Sequence, residues 1–413
     1  MLRKIGGSAI VYAFSNGVSS AAQLLLFFLC AYVFPSKDFG FLALFIVSTS
    51  LGTQLLGLGL VAAFQREFFH LKRPELSVYL SSILFFVSAI SLAFLAASLL
   101  LALLATTVAE LPSWIFVFAV VAAFGQAVQQ FLLIVWQCEE AKTIYLKYML
   151  LFCFFQLAVP LAFVFCGGKT WEGVIYGQTL VFLCSGVFSI ALLFRKGYLL
   201  PSLDRSYLKQ SLSYALPLVP HQLAGWGMAM LDRFIITSFC GVAVAGYYSL
   251  AFQVAQMINI VSGGFNQAFA PWLYAKMSAP ELRDKSEIKK IVYIYAAGII
   301  AVSVMGYFMF SLFVLVIPSA AYQQALRYAP WLFLAMMFNG LYRISSNFFL
   351  YGGNTTLLAM MTLVSALGSF LLNYTLVPVY GAIAAGWVVS FSFFMLFFLS
   401  TLTVFYKGTL RAG

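Results

Sequence analysis

The stretch LPLVPHQLAGWGMAMLDRFIITSF, Leu216 to Phe239, is long enough to cross a membrane as a helix, yet it contains two prolines, a histidine and a neighbouring Asp232 and Arg233. A helix of about 20 mainly apolar residues spans the hydrocarbon core of a bilayer. Charged residues at that depth face the interior of a helix bundle or a water-filled cavity. Prolines leave backbone carbonyls that only protein or cavity water can satisfy there. The stretch therefore predicts a bent, cavity-facing helix of a multi-helix membrane protein.

The rest of the chain has the same apolar character. Of its 413 residues, 63% are hydrophobic and 8% are charged, which is more apolar surface than a soluble core of this size could bury. Charge-free runs cover residues 5–36, 39–65, 76–109, 111–138, 148–168, 173–194 and 291–326. Two longer runs, 234–275 and 344–406, contain turn signals at 241–246, 352–354 and 378–381. With the opening stretch, these runs predict an all-α protein of about twelve transmembrane helices, the first run being too long for a secretory signal.

The positions of the basic residues predict the orientation of the chain. Of the 23 lysines and arginines, three (Lys37, Lys169 and Arg327) fall in loops on one side, and Arg233 and Arg343 fall within spans. The remaining 18 fall on the other side: Arg3, Lys4, Arg66, Lys72, Arg73, Lys142, Lys147, Arg195, Lys196, Arg205, Lys209, Lys276, Arg283, Lys285, Lys289, Lys290, Lys407 and Arg411. Basic loops stay in the cytoplasm, so both termini are expected there. The net charge of +11 then indicates contact with anionic inner-leaflet lipids and not with nucleic acid.

The two halves of the chain resemble each other weakly. A shift of 206 residues aligns Gly40 with Gly246, Gly57 with Gly263 and Ala62 with Ala268. A shift of 212 aligns the connections at 141–143 and 353–355. Transporters are often built from such repeats. We expect two six-helix lobes, residues 1–206 and 207–413, related by an axis along the membrane normal.

Catalytic and metal-binding motifs are missing from the sequence. It contains no phosphate-binding loop, no HExxH and no GxSxG, and it has only two histidines, His70 and His221. Its six cysteines have no paired spacing and are expected to be packing thiols. The chain is therefore not expected to be an enzyme or to hold a cofactor or metal.

Polar residues at membrane depth are the remaining candidates for function. Asn339, Arg343 and Asn347 recur every four residues and so share one helix face. Two interpretations stay open: this face lines a hydrated cavity that accepts an anion, or it is a buried structural network. Asp232 and Arg233, adjacent on a helix, point about 100° apart and need not pair with each other.

Amides and an interfacial charge pair extend the candidate set. Arg66 and Glu67 end the second helix at the cytoplasmic mouth, where they are either ordinary interfacial charges or the first contact for an anionic headgroup. The eighth helix carries a polar stripe and the fourth a row of glutamines; either could bind sugar hydroxyls or hold helices together. These residues are Gln253, Gln256, Asn259, Gly263, Asn266 and Gln267, and Gln126, Gln129, Gln130 and Gln137.

The opening stretch and the residues after it resemble the seventh and eighth helices of Wzx-type polysaccharide flippases, which belong to the multidrug/oligosaccharidyl-lipid/polysaccharide (MOP) exporter superfamily. The residues that carry the resemblance are Leu216, Pro217, Pro220, His221, Trp226, Asp232, Arg233, Gly241, Gly246 and Tyr247. The second helix, from Asp38, Phe39 and Gly40 to Arg66, is also similar.

The resemblance implies two lobes that alternate between inward-open and outward-open states, as in MATE transporters. The implied cargo is an undecaprenyl-diphosphate-linked oligosaccharide, moved from the cytoplasmic to the periplasmic leaflet of the bacterial inner membrane. Arg66, Arg233 and Arg343 would receive the diphosphate. A monomer working beside a glycan polymerase is expected. A proton or sodium gradient would drive transport, with Asp232, Glu67 or His221 in coupling and Pro217 and Pro220 in gating.

The first helix departs from related lipid II exporters, because it has no charge between Lys4 and Lys37. The departure favours an O-antigen or capsule-type repeat unit, as in lipopolysaccharide assembly. Two alternatives remain. A cation-coupled multidrug exporter should have a carboxylate deep in the first lobe, and residues 39–65 and 111–138 contain none. A glycan polymerase or ligase should have a large external loop, and the outer loops here are short.

Overall fold

The chain is helical almost throughout. The computed structural model describes residues 2–108, 110–167, 170–278, 285–317, 320–352 and 355–406. In that part of the chain the helices are α1 (Leu2–Val33), α2 (Ser36–Gly57), α3 (Leu60–Glu67), α4 (Arg73–Leu104), α5 (Trp114–Cys138), α6 (Lys142–Cys166), α7 (Glu172–Arg195), α8 (Arg205–Ala215), α9 (Val219–Met230), α10 (Asp232–Cys240), α11 (Val242–Ala255), α12 (Met257–Ser278), α13 (Lys285–Val316), α14 (Ala325–Tyr351), α15 (Thr355–Tyr380) and α16 (Ala382–Tyr406). Short 3₁₀ turns cover Leu216–Leu218 and Ala320–Gln324. Two antiparallel strands, β1 (Thr107–Val108) and β2 (Leu111–Pro112), form a small hairpin.

These helices account for the predicted spans. By length and composition, eight helices of the described ranges could cross a membrane: α2, α4, α5, α6, α7, α13, α15 and α16. The other four predicted spans are α1, the series α8 to α10, the pair α11 and α12, and α14. The series α8 to α10 and the pair α11 and α12 are divided into shorter helices, and α14 carries the polar residues Asn339, Arg343 and Asn347.

Backbone breaks lie where the sequence has glycine. The predicted second span divides into α2 and α3 because Leu58 and Gly59 adopt φ values of 41° and 73°. The turn predicted at 241–246 is confined to Gly241 (φ 91°) and that at 378–381 to Gly381 (φ 74°), each between two helices. The predicted turn at Gly353 and Asn354 lies outside the described residues, as do the basic residues Lys169, Arg283, Lys407 and Arg411.

The chain packs into two compact units. One combines Met1–Gly40 with Gly227–Gly413, and the other is Phe41–Trp226. The boundaries fall inside α2 and α9. The predicted lobes 1–206 and 207–413 rest on a sequence repeat, which this packing does not test, so they stay a prediction.

In the first unit, α14 packs against α11, α12, α13 and α16. Its core face is built from small and apolar residues, with Ala329, Leu332, Ala335 and Met336 fully buried. Ser390 of α16 donates a hydrogen bond of 2.5 Å to the carbonyl of Trp331. The central position of α14 holds its polar residues in a fixed setting.

In the second unit, α5 and α7 cross at two glycines. A Cβ on Gly186 would lie 2.7 Å from the Cα of Gly125, so neither position tolerates a side chain. Such small residues let helix backbones approach closely in membranes.

A loop of the same unit is tied to α4. The strap, residues Lys196–Asp204, follows α7. Arg73 donates to the carbonyl of Lys196 at 2.8 Å, and Ser77 to that of Gly197 at 2.7 Å. The amides of Leu200 and Asp204 donate to Ser81 and Ser82 at 2.9 Å. The strap thereby fixes the start of α8.

Candidate functional site

Two polar helix faces meet in the first unit. The amide face consists of Gln256 and of residues on α12 and α14: Asn259, Gly263, Asn266, Asn339, Arg343 and Asn347. Asn339 donates to Asn259 at 3.0 Å, and Asn347 donates to Asn266 at 2.6 Å. Asn259 in turn donates to Gln256. The polar stripe of the eighth predicted helix and the face of Asn339, Arg343 and Asn347 therefore contact each other, joined by amide hydrogen bonds on either side of Arg343.

Arg343 lies midway along this face. A Cβ on Gly263 would stand 3.0 Å from Nη1 of Arg343, so the missing side chain makes room for the guanidinium. The carbonyl of Arg343 accepts from Ser346 at 2.9 Å and from Asn347 at 3.1 Å, which braces the helix at this point. Within the described ranges, no carboxylate lies within ion-pair distance of Arg343. Arg343 as a whole is half-buried.

Arg233 of the same unit is bound on several sides. It pairs with Asp232 at 2.7 Å, donates to the carbonyl of Ala229 and lies 3.8 Å above the ring of Phe252. Tyr248 donates to the second oxygen of Asp232. Asp232 and Arg233 are each 2% exposed. The sequence left the pairing of these two residues open, and the structure pairs them, because the long arginine side chain reaches back to its neighbour in the low-dielectric interior.

The second unit holds the Arg66 pair. Nε of Arg66 lies 3.8 Å from Oε1 of Glu67, and the guanidinium lies 5.1 Å from the ring of Tyr214 on α8. The Arg66 side chain is 56% exposed, whereas Glu67 is buried. Arg66 thus presents an exposed cation at the end of α3.

The predicted glutamines have different surroundings. Gln126 accepts a hydrogen bond of 2.7 Å from Thr53 of α2, and Gln130, one turn further along α5, is exposed. Gln253 and Gln256 are half-buried in the first unit. They do not all belong to one cluster.

The opening stretch forms an almost continuous helical segment. Pro217 lies in the 3₁₀ turn Leu216–Leu218, and Pro220 lies in the first turn of α9, where the missing donor costs least. His221 and both prolines are exposed. Their roles in gating and coupling stay predictions.

Several contacts could not be found from the sequence. On α11, Tyr248 donates a hydrogen bond to Asp232, and the ring of Phe252 lies against the Arg233 guanidinium. On α2, Thr53 donates a hydrogen bond to Gln126. Tyr295 of α13 donates to the carbonyl of Gly340 at 2.9 Å beside the amide face. The spacing of Tyr248 and Phe252, one helical turn apart, is the one signal that they share a face.

Solved structures share this fold. The chain resembles the inward-facing conformation of a multidrug resistance MATE family transporter of the MOP superfamily, with a TM-score of 0.71 and 14% identity over 95% of this chain and 96% of that one. The outward-facing conformation of such a transporter has a TM-score of 0.61 and 14% identity, over 98% of this chain and 96% of that one. A MATE in complex with MaL6 has a TM-score of 0.62 and 15% identity, over 98% of this chain and 97% of that one.

Sequence comparison supplies the family. No match was found among curated proteins. The family model described as "Polysaccharide biosynthesis protein" matches residues 5–277, well over half of the chain. The chain is a multi-pass membrane protein that belongs to this polysaccharide biosynthesis family and has the MATE-like fold of MOP superfamily transporters.

Proposed function

We propose that the protein is a flippase for lipid-linked oligosaccharides. It moves undecaprenyl-diphosphate-linked repeat units from the cytoplasmic to the periplasmic leaflet of a bacterial inner membrane, for O-antigen or a related surface polysaccharide. The membership of a polysaccharide biosynthesis family and the transporter fold support this proposal. The mechanism we propose is the alternation between inward-open and outward-open states that the resemblance implies.

The amide face around Arg343 carries the proposal. A cargo of this class has a charged diphosphate between a polar glycan and an apolar tail. A guanidinium without a carboxylate partner binds phosphate oxygens through two parallel hydrogen bonds. The neighbouring amides of Asn259, Asn266 and Asn339 offer donors and acceptors to sugar hydroxyls without adding charge. The apolar tail stays in the bilayer.

The three predicted arginines divide into different roles. Arg343 is the diphosphate ligand and Arg66, exposed at the end of α3, is a first contact for the headgroup at the cytoplasmic mouth. Arg233 is enclosed by Asp232, Ala229 and Phe252, so we assign it to holding α10 against α11. A proton or sodium gradient remains the proposed energy source.

Substitution of Arg343 tests the proposal. In a strain that lacks the chromosomal gene, Arg343→Ala should lower surface glycan assembly at least about tenfold, equivalent to about 1.4 kcal/mol of lost interaction. Arg343→Lys keeps the charge without the planar fork and should retain partial activity. Arg327→Ala is the matched control, because Arg327 lies on the same helix and is exposed.

Gel analysis measures the chain length of the surface glycan, and immunoblotting measures the amount of each variant in the membrane fraction. Normal long-chain glycan with Arg343→Ala would make the arginine structural. A deletion strain with normal glycan but increased sensitivity to cytotoxic cations would instead support the multidrug exporter.

A further inference from the structure

Three helices of the first unit meet just under one turn before Arg343. Tyr295 of α13 donates its hydroxyl to the carbonyl of Gly340 on α14 at 2.9 Å. A Cβ on Gly340 would lie 3.4 Å from the Cβ of Ser262 on α12 and 3.5 Å from the hydroxyl oxygen of Tyr295. The glycine therefore lets side chains from two other helices approach the backbone of α14 closely.

This junction is buried. Ser262 is 0% exposed and Tyr295 is 6% exposed. The ring of Phe265, one turn after Ser262 on α12, lies 4.4 Å from the Tyr295 ring. A buried tyrosine needs a partner for its hydroxyl, and a helical carbonyl can accept a second hydrogen bond because its oxygen has two lone pairs. The hydroxyl thus joins α13 to α14 inside the bundle.

The same junction flanks the place of Arg343. Ser262 precedes Gly263, whose missing side chain makes room for the guanidinium, and Gly340 lies three residues before Arg343. Tyr295 and Arg343 are close enough to interact electrostatically. No ion pair in the described ranges holds the guanidinium. Its position beside α12 therefore depends on how α14 packs against α12 and α13.

We propose that Tyr295 is a positioning residue for anion binding, because its hydroxyl holds α14 where the Arg343 guanidinium fits beside Gly263. The inference rests on the proposed function, in which Arg343 binds the diphosphate, and it adds a residue that does not touch the cargo. Tyr295→Phe removes only the hydroxyl. The Gly340 carbonyl keeps its partner within α14, and single hydrogen bonds between membrane helices contribute modestly to stability, so this variant should fold.

The affinity of the purified full-length protein for undecaprenyl diphosphate in nanodiscs tests this role. Tyr295→Phe should weaken binding about fivefold, because a displaced guanidinium loses part of its paired hydrogen bonds to phosphate. Tyr293→Phe is the matched control and should bind as the wild type does, because Tyr293 lies on the same helix and is 70% exposed. In an Arg343→Ala background, Tyr295→Phe should change the affinity less than about twofold.

Two results of the binding measurement would overturn the positioning role. One is an affinity of Tyr295→Phe equal to that of the wild type. The other is an equal loss of affinity in the presence and in the absence of Arg343, because a residue that acts through Arg343 has no effect once the arginine is removed.

Cross-linking measures the same position without a ligand. Gly263→Cys and Arg343→Cys, in a protein whose six native cysteines are replaced, should be joined by a short bifunctional thiol reagent. Adding Tyr295→Phe should lower the yield of linked protein several-fold, and an unchanged yield would contradict the inference. If Arg343→Ala binds undecaprenyl diphosphate as tightly as the wild type, or neither binds it, the proposed function of Arg343 fails. The cross-linking yield then decides alone whether Tyr295 positions α14.

Discussion

At the scale of single residues, two arginines of the first unit show how surroundings divide one residue type into two roles. Arg233 has a carboxylate, a backbone carbonyl and an aromatic ring around it and is 2% exposed. Arg343 is half-buried between amides, with no carboxylate within ion-pair distance in the described part of the chain. Removing one partner from a buried ion pair is strongly destabilising. Arg233 therefore stabilises the α10–α11 pair, whereas Arg343 is the one of the two that we propose as a ligand-binding residue.

The space beside Arg343 depends on Gly263. Gly263→Leu would place a side chain where the guanidinium now lies, since even a Cβ stands 3.0 Å from Nη1. We expect this variant to lower glycan assembly about as much as Arg343→Ala, about tenfold or more. Gly264→Leu is the matched control, because a Cβ there meets nothing within 4 Å. Surface glycan and membrane protein level are measured for both.

Equal activity of the two leucine variants would contradict this role of Gly263. An equal loss of both proteins from the membrane would show a folding defect common to α12. The comparison separates these outcomes because both positions lie on one helix and start from glycine.

The sequence predicted which residues form each half of the amide face, but not that the two halves bind each other. A four-residue spacing places Asn339, Arg343 and Asn347 on one side of a helix, since that follows from helix geometry alone. Which helix faces them depends on tertiary packing, so the Asn347 to Asn266 hydrogen bond could not be predicted. Spacing also left the pairing of Asp232 with Arg233 open, because the angle between Cβ directions does not include the reach of a long side chain.

At the scale of elements, the strap is held to the rest of the second unit by several side-chain contacts. Glu139, just after α5, accepts hydrogen bonds of 2.7 Å from both Lys196 and Tyr198, and Arg73 lies 3.2 Å above the Tyr198 ring. Burial, with the nearby Glu139, raises the pKa of Tyr198, so its hydroxyl remains a donor. These contacts give the connection between α7 and α8 a defined path that charge-free runs in the sequence could not predict.

Weakening this cluster should loosen the strap. Glu139→Gln keeps the shape of the side chain but removes its charge. The amide of Leu200, which donates to Ser81, should then exchange with deuterium a few-fold faster, because partly exposed ion pairs contribute about 0.2–1 kcal/mol each. Glu140→Gln, the exposed neighbour, should leave the exchange rate unchanged. Equal rates in both variants would show that the serine contacts alone hold the strap.

At the scale of the whole molecule, hydropathy predicted the helical fold because membrane spans must satisfy their backbone within the helix. The predicted spans correspond to the observed helices, including the series α8 to α10 and the pair α11 and α12. The division into units at Gly40 and Trp226 was beyond sequence reasoning, since it depends on which helices pack together. Family membership supports polysaccharide transport, and the amide face supports an anionic, hydroxyl-rich cargo.

The leaflet distribution of undecaprenyl-diphosphate-linked oligosaccharide in a deletion strain tests the flippase proposal most directly. Without the gene, we expect this lipid to accumulate in the cytoplasmic leaflet, and the wild-type gene but not Arg343→Ala should return it to the periplasmic leaflet. Arrival of the lipid in the periplasmic leaflet at the normal rate without the gene would contradict the proposal.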